Sequence, residues 1–540
     1  MKDISSTGSF INFYLNNYIY VDKTKYIRDL IKLERVFISR PRRFGKSLTL
    51  DTIATLFETG VEPYFKGTWI YDKWTEPTYP VLRLNFLDLD KYSLEHFKQK
   101  LNAIISSFAR DINVKNYEEK VEPEDTIYFL LDELRKEKRQ IVILIDEYDC
   151  QMTANINNET LYKQFQEKIK SFYATIKNKW PIKFLGITGV TRLKDVEIFS
   201  IGSDINDITN DSVYSQMIGF TRDEIKRYYI DYLKLAASYE NKCRVEEVID
   251  TQIESMLDMM AQNYDGYCFD EFYKKKVFST WSVNKFFQSV VSNKFVYFGE
   301  YWYDNGGLPS ILVNYLKTHE LNIFEYLDKD KFLKVSSDDF KNPTALTTIN
   351  QNVLMCQTGY LTLRSDLNKT STVALGIPNG EIYKALNRLL ANNIFKGNTD
   401  ITDDYGRSLL EVGTVDDIIN LFNSALNSVS YDNYPIVSES SVQNMLKLYL
   451  LGAHQKVLSE VHEAKGRADL VVNTDNRRIV FEFKYAKNET EAKSKLLDAV
   501  EQIKTRDYGN IVPNKTELLR IAAVFNADPK VRAFTEYQEV

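Results

Sequence analysis

Apolar positions fall along this chain in two rhythms. Four short runs are β-rich: Val36-Phe37-Ile38, Val81-Leu82-Arg83-Leu84-Asn85-Phe86, the wholly aliphatic Ile141-Val142-Ile143-Leu144-Ile145, and Ile182-Lys183-Phe184-Leu185-Gly186-Ile187. Continuous apolar runs such as the third suit strands buried on both faces. Long stretches of helical spacing lie between them, and this alternation predicts a parallel α/β sheet over residues 1–215. From 216 to 440 helical spacing dominates. Phe220-Thr221-Arg222-Asp223-Glu224 opens one helix, with Thr221 as N-cap and Glu224 at the third helical position, where its side chain can bond back to the cap. From 441 to 540 the pattern predicts a helix, three strands and another helix. Ala468-Asp469-Leu470-Val471-Val472 and Arg478 to Lys484 read as consecutive strands joined by a turn at Asn473-Thr474-Asp475-Asn476. No repeat or Pro/Gly/Ser linker marks the boundaries.

Size, charge and cysteine usage narrow the class. At 540 residues the chain exceeds what one core serves, so several domains are expected. Met1-Lys2-Asp3-Ile4-Ser5-Ser6 has no apolar secretory core behind it, and no uncharged apolar run approaches the ~20 residues that span a bilayer. The four cysteines are scattered, and no CxxC or HxxxH spacing exists. Zinc sites and a disulfide framework are therefore not expected, and the reading is a reducing, cytoplasmic setting without a membrane. A net charge of −6 gives no global pull on nucleic acid. Residues 441–540 carry 16 Lys/Arg against 14 Asp/Glu, so any nucleic-acid surface must be local.

Two segments carry chemistry. The first is Ile38-Ser39-Arg40-Pro41-Arg42-Arg43-Phe44-Gly45-Lys46-Ser47. A strand before it and a helix from Lys46 would leave backbone N–H groups of Arg43, Phe44 and Gly45 around a phosphate at a helix N-terminus. Lys46 can reach the β- and γ-phosphates of ATP, and the Ser47 hydroxyl can bind Mg²⁺. The first glycine of the usual G-x-x-x-x-G-K-[ST] loop is replaced by Arg40. A basic loop before an ordinary helix is the competing reading, and the aliphatic strand ending in Asp146-Glu147 weighs against it. It sets two carboxylates at the sheet edge where α/β sheets bind ligands. Asp146 would hold Mg²⁺ through water and Glu147 would polarise the attacking water. Thr188, ending the next apolar run, can bond the γ-phosphate or that water. Arg192 reads as an exposed structural arginine, with an arginine finger as its alternative.

The second segment is Gly466-Arg467-Ala468-Asp469, followed by Val480-Phe481-Glu482-Phe483-Lys484. Period-two alternation puts Glu482 and Lys484 on one strand face and Phe481 and Phe483 on the other. Asp469 on the neighbouring strand can meet them. Two carboxylates suit Mg²⁺, with Mn²⁺ as an alternative, and Lys484 can orient or deprotonate a metal-activated water. E-x-K alone is often a solvated strand face.

Tyr20-Val21-Asp22-Lys23-Thr24, the R-P-R-R-F-G-K-S loop, Ile145-Asp146-Glu147-Tyr148-Asp149 and Thr188-Gly189-Val190-Thr191 resemble the AAA-ATPase-like family. Its members use this loop without the first glycine. Tyr264-Asp265-Gly266-Tyr267 and Gly359-Tyr360-Leu361 extend the resemblance into the middle. In that family the C-terminus is often a PD-(D/E)XK nuclease domain. The resemblance implies a P-loop NTPase parallel sheet, a helical middle region and a C-terminal α/β PD-(D/E)XK nuclease-like domain. It also implies a further acidic metal ligand at Glu460, on the preceding helix or its end, and a site-contacting glutamine at Gln502 on the following helix. The expected activity is an ATP-regulated, Mg²⁺-dependent nuclease acting on DNA, in a defence, toxin/effector or mobile-element setting, with self-association of the chain. The alternatives are a non-cleaving ATP-driven switch whose nuclease-like domain binds nucleic acid or a protein partner, and a small-molecule kinase.

Overall fold

The computed structural model describes residues 1–177, 179–193, 205–302, 310–316, 319, 322–343, 345–395, 405–453, 455–463, 466–508 and 517–540. The chain forms two compact units, one of Met1–His319 with Phe332–Ile382, the other of Glu320–Lys331 with Tyr383–Val540.

The first unit is built on a five-stranded parallel sheet. Its strands are β1 (Arg35–Ser39), β2 (Val81–Asn85), β3 (Ile141–Asp146), β4 (Ile182–Gly189) and β5 (Asn206–Asp207), in the order β2-β3-β4-β1-β5. The four apolar runs are thus β1 to β4. β1 is buried throughout, and β3 is buried along its aliphatic length, as strands covered by helices on both faces must be. β4 lies between β1 and β3, which separates the phosphate loop from the acidic strand end by one strand.

The helical part of this unit packs its own core of Tyr229, Leu233, Met256, Leu257, Phe286 and Phe287, which also takes in Ile19 and Val21 from the N-terminal segment. The capping box at Thr221 forms as expected. Glu224 N–H donates to Thr221 Oγ1 (3.2 Å), and Thr221 N–H donates to Glu224 Oε2 (2.8 Å). The helical middle also holds a small antiparallel sheet, β6 (Leu333–Ser336), β7 (Thr362–Leu363) and β8 (Thr372–Gly376), in the order β6-β8-β7.

The second unit contains a mixed sheet of β9 (Lys456–Glu463), β10 (Gly466–Asn473), β11 (Arg477–Ala486), β12 (Glu517–Asn526) and β13 (Ala533–Glu539), ordered β13-β12-β11-β10-β9. β11 and β12 are parallel, joined through the helix Glu489–Arg506; the other neighbours are antiparallel. Two strands therefore follow the last expected helix. Glu460 is corrected as well: it belongs to strand β9, not a helix. The preceding helix ends at Gly452, and β9 pairs with β10 from Lys456↔Asn473 to Glu463↔Gly466. The Glu460 side chain lies outside the described residues. Among the described residues no helix is long and apolar enough to cross a membrane.

Candidate nucleotide and metal sites

Residues 40–45 turn from β1 into the helix Lys46–Thr59. Gly45 caps that helix at φ 104°, a left-handed conformation that strains any side chain. Arg43 adopts φ 69° without being glycine, and its neighbours hold it there. Its carbonyl accepts from Thr280 Oγ1 (2.8 Å) and Trp281 N–H (3.3 Å). Its guanidinium donates to the Tyr301 carbonyl (3.0 Å) and lies 4.5 Å from the Trp281 ring centre. Phe44 is buried edge-on against Tyr267, at 4.7 Å between ring centres, and against Phe269 and Trp302. Arg43 and Phe44 thus fix the loop by their side chains.

Arg40, where the usual loop has glycine, points its buried guanidinium away from the turn. It donates to the carbonyls of Ser39 (2.9 Å) and Thr209 (2.6 Å) and lies over the Phe269 ring. A side chain is tolerated there because it leaves on the β5 side.

The acidic strand end meets the loop. Ser47 Oγ donates to Asp146 Oδ2 at 2.6 Å, and Thr188 Oγ1 donates to Asp146 Oδ1. Lys46 Nζ, almost fully buried, donates to the carbonyls of Arg40 (3.1 Å) and Pro41 (3.3 Å) and lies 3.5 Å from Glu147 Oε1. One lysine, one hydroxyl, two carboxylates and Thr188 therefore converge. A hydroxyl beside a carboxylate is the hard-oxygen set that would hold a phosphate-bound Mg²⁺. Arg192 is only partly exposed, not on the surface as expected, and ion-pairs with Asp207.

The stretches after these residues lock one another. Asp149, buried, accepts from Thr191 N–H (2.7 Å) and Thr191 Oγ1 (2.5 Å), and Tyr148 N–H donates to the Thr188 carbonyl (3.1 Å). A β-carbon on Gly189 would sit 2.4 Å from the Tyr148 ring, so glycine is required there.

A cavity of about 340 Å³ opens beside the loop. Arg42 to Thr49 and Glu147 line one side, and Tyr20, Val21, Met217, Phe220 and Trp281 line the other. The second group was not singled out from the sequence as a site. Its members come from three distant segments, none with a phosphate-binding signature, and only packing brings them together.

In the second unit Asp469 lies on β10 and Glu482 on β11. They fall one step beyond the pair Leu470↔Phe481, which sets them opposite each other and on one face. Glu482 is fully buried, not on a solvated strand face. Its Oε1 accepts from Lys484 Nζ at 2.8 Å, while its buried Oε2 has no partner among the described residues. Asp469 Oδ2 accepts from Phe483 N–H at 2.9 Å. Burial, then the charge of Asp469, pushes the Glu482 carboxyl up to about 7. An orphaned buried carboxylate oxygen facing a second carboxylate fits a divalent ion, which would supply the missing partner. Among the described residues no group of three or more His, Cys, Asp or Glu side chains is placed to hold an ion. Asp469 and Glu482 are the two described carboxylates that face each other there.

Two further groups stand at this site unread in the sequence. Glu439, first residue of the helix Glu439–Gly452, lies 3.5 Å from Lys484 Nζ. Arg506, at the end of the helix Glu489–Arg506, feels the charges of Glu482 and Asp469. Gln502 donates to the Tyr508 hydroxyl (3.3 Å), which also accepts from Arg506 (2.9 Å).

The two units thus carry a phosphate loop facing an acidic strand end, and a paired-carboxylate site on a mixed sheet. Residues 5–199 belong to the family described as "Predicted AAA-ATPase", and residues 437–535 to the PD-(D/E)XK nuclease superfamily. An uncharacterised protein from the vnfD 5′ region of Azotobacter chroococcum mcd 1 is 25% identical over 533 residues, covering 95% of this chain and 94% of that one. A crystal structure of Cdc6p from Pyrobaculum aerophilum matches 68% of this chain and 93% of its own at 12% identity, with a TM-score of 0.26, too slight a likeness to bear on the fold.

Proposed function

We propose that the first unit binds and hydrolyses ATP and that the second cleaves nucleic acid, DNA in particular, with Mg²⁺ or Mn²⁺. In the first site Lys46 would neutralise the β- and γ-phosphates, Ser47 and Asp146 would hold the ion, Glu147 would orient the attacking water, and Thr188, bonded to Asp146, would reach the γ-phosphate or that water. In the second, Asp469 and Glu482 would hold the ion, which when bound would supply Lewis-acid activation, and Lys484 would position the water. The observation that carries the second assignment is the Glu482 carboxylate, buried, facing Asp469 and bonded to Lys484 through one oxygen only. The assay incubates purified protein with linear, circular and single-stranded DNA and with RNA, with and without ATP and Mg²⁺. Metal-dependent cleavage by the parent, and none by Asp469→Asn, is the expected result. Equal cleavage by both would sink the catalytic assignment; binding without cleavage would favour the non-cleaving switch.

A further inference from the structure

The second unit holds a separate pocket of about 170 Å³, on the sheet face opposite Glu482 and Lys484. Its walls include Tyr431, Tyr434, Ile436, Phe525 and Arg532. Phe525 pairs with Tyr485 on β11, and period-two alternation turns both away from the face that carries Lys484. Tyr431 is substantially exposed, and the Arg532 guanidinium carbon lies 3.4 Å from its ring centre. Arg532 makes no ion pair or side-chain hydrogen bond among the described residues, so its donors remain available at the pocket wall. It holds this place at φ 45°, a left-handed conformation unfavourable for a side chain with a β-carbon, in a turn closed by Arg532 N–H donating to the Asp528 carbonyl (3.1 Å).

Flat aromatic walls with a stacked guanidinium are how proteins receive an unpaired base, the ring on the π-surfaces and the phosphate or base edge on the arginine. Position sharpens the reading. The segment that supplies Tyr431, Tyr434 and Ile436 runs directly into Glu439, beside Lys484. Ile436 and Glu439 are three residues apart, at most about 11 Å of extended chain. On the sheet side, Tyr485↔Phe525 is the step after Lys484↔Val524. Pocket and paired carboxylates share one end of β11 and β12, on its two faces.

We propose that this pocket takes one unpaired nucleobase of the strand whose backbone reaches Asp469 and Glu482, making single-stranded or locally opened nucleic acid the preferred form. The proposal rests on the nuclease reading. The test measures binding of labelled single-stranded and duplex DNA of equal length by fluorescence anisotropy, in the full chain carrying Asp469→Asn. Tyr431→Ala and Arg532→Ala should each weaken single-strand binding roughly tenfold, the loss of about one stacked base. Tyr431→Phe should bind as the parent, because the ring is kept, and duplex affinity should move little. Unchanged single-strand binding in both alanine variants would overturn the pocket while leaving metal-dependent cleavage by the parent intact. Binding lost equally for duplex and single strand would overturn it as a base site. A parent that neither binds nor cuts any nucleic acid would overturn both readings together.

Discussion

Glu482 is the residue whose chemistry most depends on its surroundings. Its unfolded-state value is near 4.5, and burial beside Asp469 raises it to about 7 in the folded chain. Between these values the folded state holds a proton that the unfolded state lacks. The stability contributed by this group is therefore full below about 4.5 and is lost as pH rises through about 7. A divalent ion binds the ionised form and reverses that loss. Thermal melts from about pH 5 to pH 8 should show metal-free protein weakening as pH rises, with Mn²⁺ or Mg²⁺ restoring it. Glu482→Gln should flatten the pH dependence, remove the metal response and abolish cleavage; a variant that kept the metal response would exclude Glu482 as a ligand. At the other site, Lys46→Ala should abolish binding of a fluorescent ATP analogue, because the buried cation is lost. Glu147→Gln should retain binding but lower turnover by roughly 10²-fold or more, the usual worth of a positioned base. Turnover at the parent's rate in Glu147→Gln would refute its role.

Among elements, the N-terminal stretch Tyr20 to Thr24 binds distant parts of the first unit together. Lys23 Nζ donates to Glu224 Oε2 (2.6 Å) and to the Gln216 carbonyl (2.8 Å), so the capping-box glutamate also anchors the segment that lines the nucleotide cavity. Lys23→Met would leave Glu224 largely buried without its cation, at a cost of about 3 kcal/mol. The expected outcome is a lower Tm together with weaker ATP-analogue binding, because Tyr20, Val21 and Phe220 shift with the broken pair. A lower Tm with unchanged nucleotide affinity would separate the pair from the cavity. At this scale the sequence was legible wherever the signal is local. Unbroken apolar runs marked β1 and β3, and the Thr221 to Glu224 spacing marked a capping box. Two-residue β5 has no pattern of its own and exists only as a partner for β1. β12 contains the apolar run Ile521 to Phe525, yet lies beyond the helix where the expected pattern stopped. Asp469, Glu482 and Lys484 were legible because strand alternation is strict. Glu439 was not, since nothing local distinguishes it from any acidic residue in a helix's first turn.

For the whole molecule, the phosphate loop is tied to the start of the helix Gly380–Ile394. Its Glu381 is buried and accepts from Ser282 Oγ (2.7 Å) and Trp302 N–H (2.8 Å). Ser282 belongs to the same helix, Thr280–Asn293, that grips the Arg43 carbonyl of the phosphate loop. One continuous set of contacts thus runs, within the first unit, from the phosphate loop to Glu381. Two sites on one chain suggest that nucleotide state gates cleavage, so cleavage rates should differ among nucleotide-free, ATP-bound and non-hydrolysable-analogue states. Equal rates in all three would mean that the two sites act independently.

The second unit takes one of its pieces, Glu320–Lys331, from within the first unit's stretch of sequence. Within that piece Ile323, Tyr326 and Leu327 are buried, and the Leu327 carbonyl accepts from the Tyr383 hydroxyl (2.9 Å). A fragment of residues 383–540 should consequently melt below one that also carries 322–331 on a tether; equal melting would show the piece to be dispensable. The consequence reaches into descent: no single recombination point can lift the second unit out of this gene entire. A lineage gaining or shedding the nuclease fold would have to break the ATPase sequence twice, so interleaving binds the two halves to a common inheritance.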